Sequence, residues 1–208
     1  MKKKVQKILI ANRGVPAVRI MHTCRDRRIP VTAVYSSPDR LAQHVLMGDS
    51  AVHIGEAPPS ESYLNMDRII QAAHETGADA IHPGYGFLAE NAIFARRVVD
   101  AGLTWIGPPP DVIAAMGDKI EAKRLAEEAD VPVIPGITEV KSAEKIRKWV
   151  EEESIDFPII IKAAAGGGGK GMVKVDRKED IKRAFQQARS ESKKAFGSAS
   201  ILVEKYIE

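Results

Sequence analysis

Ile159, Ile160 and Ile161 run directly into Lys162, and Ala163, Ala164 and Ala165 then lead to Gly166, Gly167, Gly168, Gly169, Lys170, Gly171 and Met172. An ammonium group at the end of a buried strand costs several kcal/mol unless a counter-charge meets it. A phosphate would supply that charge. Glycines reach positive φ and let backbone N–H groups approach a polyphosphate closely. Set between two strands that can pair antiparallel, the run reads as a flap that closes over ATP. It is not a Walker A loop, because Gly171 follows Gly169-Lys170 where a magnesium-holding Ser or Thr would stand. A plain linker is the competing reading of 166–171, but linkers are not normally wedged between two apolar strands.

The elements that must position this loop alternate in type along the chain. Val5–Ala11, Val31–Tyr35, Ala51–Ile54, Ala80–His82 and Thr104–Ile106 read as buried strands. Val18–Arg27, Tyr63–Glu75 and Asn91–Asp100 carry apolar residues at helical spacing, as Ile69, Ile70 and Ala73 illustrate. Strand–helix–strand alternation with short loops implies a parallel sheet covered on both faces, with ligands collecting at the carboxyl ends of its strands. The fold class is α/β, and the first domain is a Rossmann-like parallel sheet over residues 1–115.

A break follows at Gly107-Pro108-Pro109-Pro110, where Asp111 can cap a helix running to Met116. A charged helix, Lys119–Ala129, and the extended Val131–Gly136 complete a helical linker over 116–136. The segment 137–208 then reads as a small α+β domain: helix Ser142–Glu153, strand Phe157–Ala163, the glycine loop, strand Met172–Val175, helix Lys178–Ala195 and strand Ser200–Ile207. Asp176 with Glu179 three residues later resembles a helix-opening capping box.

The remaining composition excludes more than it suggests. A net charge of +3 over 208 residues gives no support for nucleic-acid or membrane-surface binding. The single cysteine, Cys24, excludes an internal disulfide and suits a reducing compartment. Ile8–Ala11 is too short for a signal-peptide core, and no stretch is long enough to span a bilayer. A cytoplasmic protein is the expectation.

Four stretches together resemble the biotin carboxylase family of acetyl-CoA, propionyl-CoA and pyruvate carboxylases. They are Ile10-Ala11-Asn12-Arg13-Gly14, His82-Pro83-Gly84-Tyr85-Gly86-Phe87-Leu88-Ala89-Glu90-Asn91, Met116-Gly117-Asp118-Lys119, and the lysine–glycine loop. Each is modest alone, but their order and spacing are specific, and the resemblance runs from about residue 5 to the last. It implies an ATP-grasp enzyme, a ligase that makes carboxyphosphate from ATP and bicarbonate and carboxylates biotin on a carrier protein. By that resemblance Lys119 reaches the nucleotide, Lys162 contacts its phosphates, and Gly166, Gly167, Gly168, Gly169, Gly171 and Met172 form the flap. Glu204 would accept from the adenine amino group, with the backbone around Lys205, Tyr206 and Ile207 along the purine edge. Tyr85 and Gly86 match positions that line the biotin site. Without the resemblance, Lys119 reads equally well as a helix-surface lysine, Glu204 as a solvated edge residue, and His82 and Tyr85 as turn and packing residues.

Two departures stand out: Val15-Pro16 occupy the place where the family usually has Glu-Ile, and Val173 stands where an arginine commonly follows the loop methionine. The resemblance further implies that the second ATP-grasp lobe lies after Glu208. That lobe would carry the Mg²⁺ carboxylates and the residues that hold bicarbonate and biotin, so no catalytic residue or metal ligand is expected within these residues, and the chain alone is expected to be inactive. Expected partners are a biotin carboxyl carrier protein, a carboxyltransferase and, as a separate chain, the missing lobe; dimerisation is left open. The rival readings are another ATP-grasp ligase and a non-catalytic module that binds nucleotide or a partner.

Overall fold

A computed structural model describes residues 4–164, 171–197 and 199–207. The chain divides into two compact units, Met1–Ala114 and Ala115–Glu208. The first is an α/β unit built on a five-stranded, wholly parallel sheet. In chain order its elements are β1 (Ile8–Ile10), α1 (Gly14–Asp26), β2 (Val31–Ser36), α2 (Gln43–Met47), β3 (Ser50–Gly55), α3 (Met66–Glu75), β4 (Ala80–His82), α4 (Ala92–Asp100) and β5 (Thr104–Trp105), and α5 (Pro110–Gly117) follows. The strand order is β3-β2-β1-β4-β5. The chain therefore winds outward from β1 in one direction and then, at β4, in the other. The crevice between the loops that leave β1 and β4 is the topological switch point, where open α/β sheets hold ligands.

Both faces of the central strands β1, β2 and β4 are buried, which is why they read as nearly continuous apolar runs, while the edge strands β3 and β5 are partly exposed. Leu9, Val34 and Ile81 pack with Ile69, Phe94 and Val98 of α3 and α4 on one side. Ile8, Ile10, Val31 and Ala33 pack with Ala17, Met21 and Cys24 of α1 on the other. Each fully buried Ile, Leu or Phe of these layers contributes roughly 1.5–3 kcal/mol relative to an exposed one.

The second unit follows a different rule. Its elements are α6 (Lys119–Glu128), β6 (Gly136–Ile137), α7 (Ala143–Glu152), β7 (Ile159–Ala163), β8 (Met172–Val175), α8 (Ile181–Phe196) and β9 (Ile201–Lys205). The sheet runs β6-β9-β7-β8 with every pair antiparallel. One face carries the hydrophobic core: Ile159, Ile161, Val175, Ile201 and Val203 meet Ile146, Trp149 and Val150 of α7 and Ile181, Phe185 and Ala188 of α8. Because side chains alternate along a strand, Lys162, Met172, Lys174 and Glu204 fall on the opposite face.

Three local expectations are corrected. The helix expected from Tyr63 starts at Met66, because Asn65 accepts from the Arg68 N–H and caps it there; Tyr63 is instead buried through its own hydroxyl bonds. Asp111 lies inside the first turn of α5, which begins at Pro110, and so is not its cap. The Asp176/Glu179 capping box does not form: a short 3-10 turn, Lys178–Asp180, precedes α8, and neither this turn nor the helix has a side-chain cap. The short helix α2 and the two-residue strand β6 add elements that the hydrophobic pattern did not announce.

Candidate functional site

In the first unit, the loops after β1, β2 and β4 converge on two asparagine and aspartate anchors. Asn12, buried at the end of β1, donates through Nδ2 to the Pro83 carbonyl at 2.7 Å and to the Tyr85 carbonyl at 2.8 Å, while its Oδ1 accepts from the Arg13 N–H. This binds the two loops of the switch point together. Gly84 is required there: its φ is +67°, and a Cβ would lie 2.7 Å from Asn12 Nδ2. His82 Nδ1 accepts from the Gly84 N–H at 3.0 Å, which leaves the ring proton on Nε2; burial depresses the His82 pKa in the same sense.

Asp39 is the second anchor. It accepts from Arg13 Nε at 2.7 Å, Arg13 Nη2 at 2.5 Å, the Tyr63 hydroxyl at 2.6 Å and Ser36 Oγ at 3.2 Å. The hydrogen bond from Arg13 is the main reason its pKa falls to about 2, against the resistance of burial. Burial first, and the bond to Asp39 second, push the Tyr63 phenol up to about 12. The Tyr63 ring stacks on Phe87 at 5.0 Å, so this network also supports the loop carrying Tyr85 and Gly86. Tyr85 itself points outward with 70% of its surface exposed, and Gly86 has φ +73°.

In the second unit, Lys162, Glu204 and Lys123 form a charged group on the open face of the sheet. Lys162 Nζ donates to Glu204 Oε2 at 2.7 Å. Lys123, from α6, donates to the Ile134 carbonyl at 2.7 Å and stands 3.9 Å from Glu204 Oε1. All three side chains are largely buried, at 22%, 15% and 12% exposure for Lys162, Glu204 and Lys123. Lys119 opens α6 behind its cap, Asp118, which accepts from the Ile120 and Glu121 N–H groups. Its ammonium donates to the Ala164 carbonyl at 3.4 Å, at the point where β7 gives way to the glycine run. Gly171 closes the far side with φ +72°, and its carbonyl accepts from the Ala163 N–H.

Lys162, Lys119, Gly171 and Met172 thus gather at one end of the β7–β8 pair, and Lys162 reaches back along the sheet to Glu204, which stands opposite Ile160 on β9. Gly166, Gly167, Gly168 and Gly169 lie outside the described residues. Lys205 ends β9, while Tyr206 and Ile207 fall just beyond it; Lys174 Nζ sits 4.8 Å over the Tyr206 ring. Two expectations change. The counter-charge that Lys162 was expected to find in a phosphate is already present as Glu204. Nor is Glu204 an edge residue, since β9 lies between β6 and β7. Lys123 and Gly136 were missed. Lys123 follows Lys119 by one helical turn, and that spacing was its only sequence signal. Among the described residues no cluster of three His, Cys, Asp or Glu side chains could hold a metal ion.

Comparison with known proteins agrees with both halves of this geometry. Residues 4–113 match the family model described as biotin carboxylase, N-terminal domain, and residues 118–208 match the carbamoyl-phosphate synthase L chain, ATP binding domain. The chain is 46% identical to the biotin-dependent acyl-coenzyme A carboxylase alpha3 subunit of Mycobacterium leprae, covering 99% of this chain and 34% of that one. It is 45% identical to the biotin carboxylase of Haemophilus influenzae, covering 98% and 46%. Among solved structures, a biotin carboxylase–ATP complex from Campylobacter jejuni superposes with a TM-score of 0.90 at 42% identity, over 99% of this chain and 46% of that one. The chain therefore spans under half the length of these relatives. With the first model covering more than half of its residues, the chain belongs to the biotin carboxylase family.

Proposed function

We propose that this chain supplies half the ATP site of an ATP-grasp biotin carboxylase, a ligase that phosphorylates bicarbonate with ATP and carboxylates biotin on a carrier protein. The observation that carries this is the Lys162–Glu204 pair beside the base of the glycine run, with Lys119 on the Ala164 carbonyl. It places two ammonium groups at the mouth of one hairpin, one of them paired with a carboxylate on the neighbouring strand. In this reading Lys162 leaves Glu204 for the phosphates, and Lys119 joins it. Gly166 to Gly169, with Gly171 and Met172, close over the phosphates. Glu204 accepts from the adenine amino group while the Lys205–Ile207 backbone follows the purine edge. Tyr85 and Gly86, held by Asn12 and the Tyr63–Phe87 stack, line the biotin side.

The domain scheme is a Rossmann-like domain over 1–115, a helical linker over 116–136 and a flap domain over 137–208. Bound Mg²⁺ would neutralise the phosphate charge, and we place its carboxylate ligands in the portion of the relatives that this chain does not span. The partners are a carboxyl carrier protein and a carboxyltransferase, the setting is cytoplasmic, and acetyl-CoA carboxylase is one assembly that fits. No helix is long and apolar enough to cross a membrane.

The test is biotin-dependent ATP hydrolysis with bicarbonate and Mg²⁺, run on the chain with and without a supplied C-terminal lobe from a relative. Activity only in the mixture, lost in Lys162→Ala, is the expected result. Silence in both, with no nucleotide bound, would favour a non-catalytic module.

A further inference from the structure

Lys123 has no part in the scheme above, although it is the most enclosed of the three charged side chains around Glu204. Its ammonium is tied to the Ile134 carbonyl at 2.7 Å and faces Glu204 Oε1 at 3.9 Å, while the other carboxylate oxygen is held by Lys162 at 2.7 Å. One carboxylate is thus shared between a lysine of β7 and a lysine of α6. Across the β6–β9 pair, Gly136 stands directly opposite Glu204. A Cβ at Gly136 would lie 2.8 Å from Glu204 Cγ, 3.0 Å from Lys123 Nζ and 2.4 Å from the Val203 carbonyl. Only glycine leaves room for the two side chains to meet.

The asymmetry of the two lysines has a consequence for any nucleotide that enters. If Lys162 turns to a phosphate, Glu204 loses its 2.7 Å partner. Lys123 cannot follow, because it is anchored to the Ile134 carbonyl. A carboxylate accepts a hydrogen bond from a 6-amino purine and repels the carbonyl oxygen of a 6-oxo purine. Its power to choose depends on staying where it is.

We propose that Lys123 is a positioning residue for purine selection: it holds Glu204 in place, through the space that Gly136 leaves open, once Lys162 has moved to the phosphates. The proposal rests on the nucleotide site described above and extends it by naming what fixes its base specificity.

The experiment is titration calorimetry of ATP and of inosine triphosphate against the 208-residue chain mixed with the supplied C-terminal lobe. Wild type, K123Q and K123R are compared, and the melting temperature of each is recorded. Glutamine keeps a donor for the Ile134 carbonyl and removes the charge facing Glu204; arginine restores the charge. K123Q is expected to reduce the ATP-to-inosine-triphosphate affinity ratio about tenfold, the size of one lost enclosed ion pair. K123R is expected to restore the ratio, and neither change should track the melting temperature. A preference for ATP that survives unchanged in K123Q, or an equal fall in both affinities, overturns the role of Lys123 alone. A wild-type mixture that binds neither nucleotide overturns the nucleotide-site reading itself.

Discussion

Asp39 in the first unit and Glu204 in the second are both enclosed carboxylates beside basic side chains, at 9% and 15% exposure, and their surroundings differ in kind. Asp39 takes four hydrogen bonds from three residues, so its lone pairs are filled. Glu204 takes one short bond from Lys162 and a longer approach from Lys123, and keeps accepting capacity in reserve. A saturated carboxylate fixes loops; an unsaturated one can still receive a ligand. The same division separates the sheets. The first buries both faces of its central strands, whereas the second sets its hydrophobic core on one face and its charged group on the other.

The contrast is broken most sharply by removing each carboxylate's main partnership. Asp39→Ala strands Arg13, Tyr63 and Ser36 at once and is expected to destabilise the first unit by about 3 kcal/mol. The figure stays below that of a fully buried pair because the Arg13 side chain is half exposed. Lys162→Met should cost the second unit only about 1 kcal/mol, since Lys123 remains beside Glu204 and both partners touch solvent. The two tryptophans make this measurable by denaturant titration: Trp105 lies in the first unit and Trp149 in the second, so W149F and W105F backgrounds report one unit each.

Acid sharpens the comparison at intermediate size. All five histidines lie in the first unit. His44 is fully buried, with Nε2 donating to the Val34 carbonyl at 3.2 Å and, among the described residues, no partner for Nδ1. Burial depresses the pKa of both His44 and His82, so the unfolded chain takes up these protons first, near the ordinary value of 6.5. Stability of the first unit should therefore fall as pH drops below about 6.5. Asp39 adds a second loss as pH falls from about 4 to about 2, because its ionised form is the bonded one. His44→Gln should flatten the upper limb, read by Trp105 fluorescence between pH 7 and 5, and leave the Trp149 signal unchanged.

The smallest expected effect concerns a helix end. No acidic residue lies in the first turn of α1, whereas Glu121 and Glu144 occupy the first turns of α6 and α7. Val15 is 77% exposed there. Val15→Glu should stabilise the first unit by about 0.5 kcal/mol through the helix dipole, seen as a small rise in its unfolding midpoint.

Legibility in the sequence followed the range of each interaction. The central strands of the first sheet were plain because two-sided burial writes a nearly unbroken apolar run into them. Lys162 was plain because a cation closing such a run violates it. The Asp39 network left no such trace: Arg13, Ser36, Asp39 and Tyr63 share no period, and only the folded sheet brings them together. Lys123 looked like any residue of a charged helix, and Gly136 like the end of a proline-rich turn. The false capping box had the right residue types, but the 3-10 turn at Lys178–Asp180 moved the helix start past it.

The alternation along β7 and β9 also predicts what the chain can tolerate in variation. Ile159, Ile161, Ile201 and Val203 answer to the core, and Lys162 and Glu204 to whatever lies on the other side. A saturation screen for folded protein should therefore show a two-residue rhythm, intolerant at odd positions and permissive at even ones, with the buried Leu202 and the half-buried Lys205 as exceptions. A screen for nucleotide binding should find Lys162 and Glu204 intolerant as well. Selection can thus retune one set without renegotiating the other, and that independence lets a single scaffold diverge in ligand while keeping its shape.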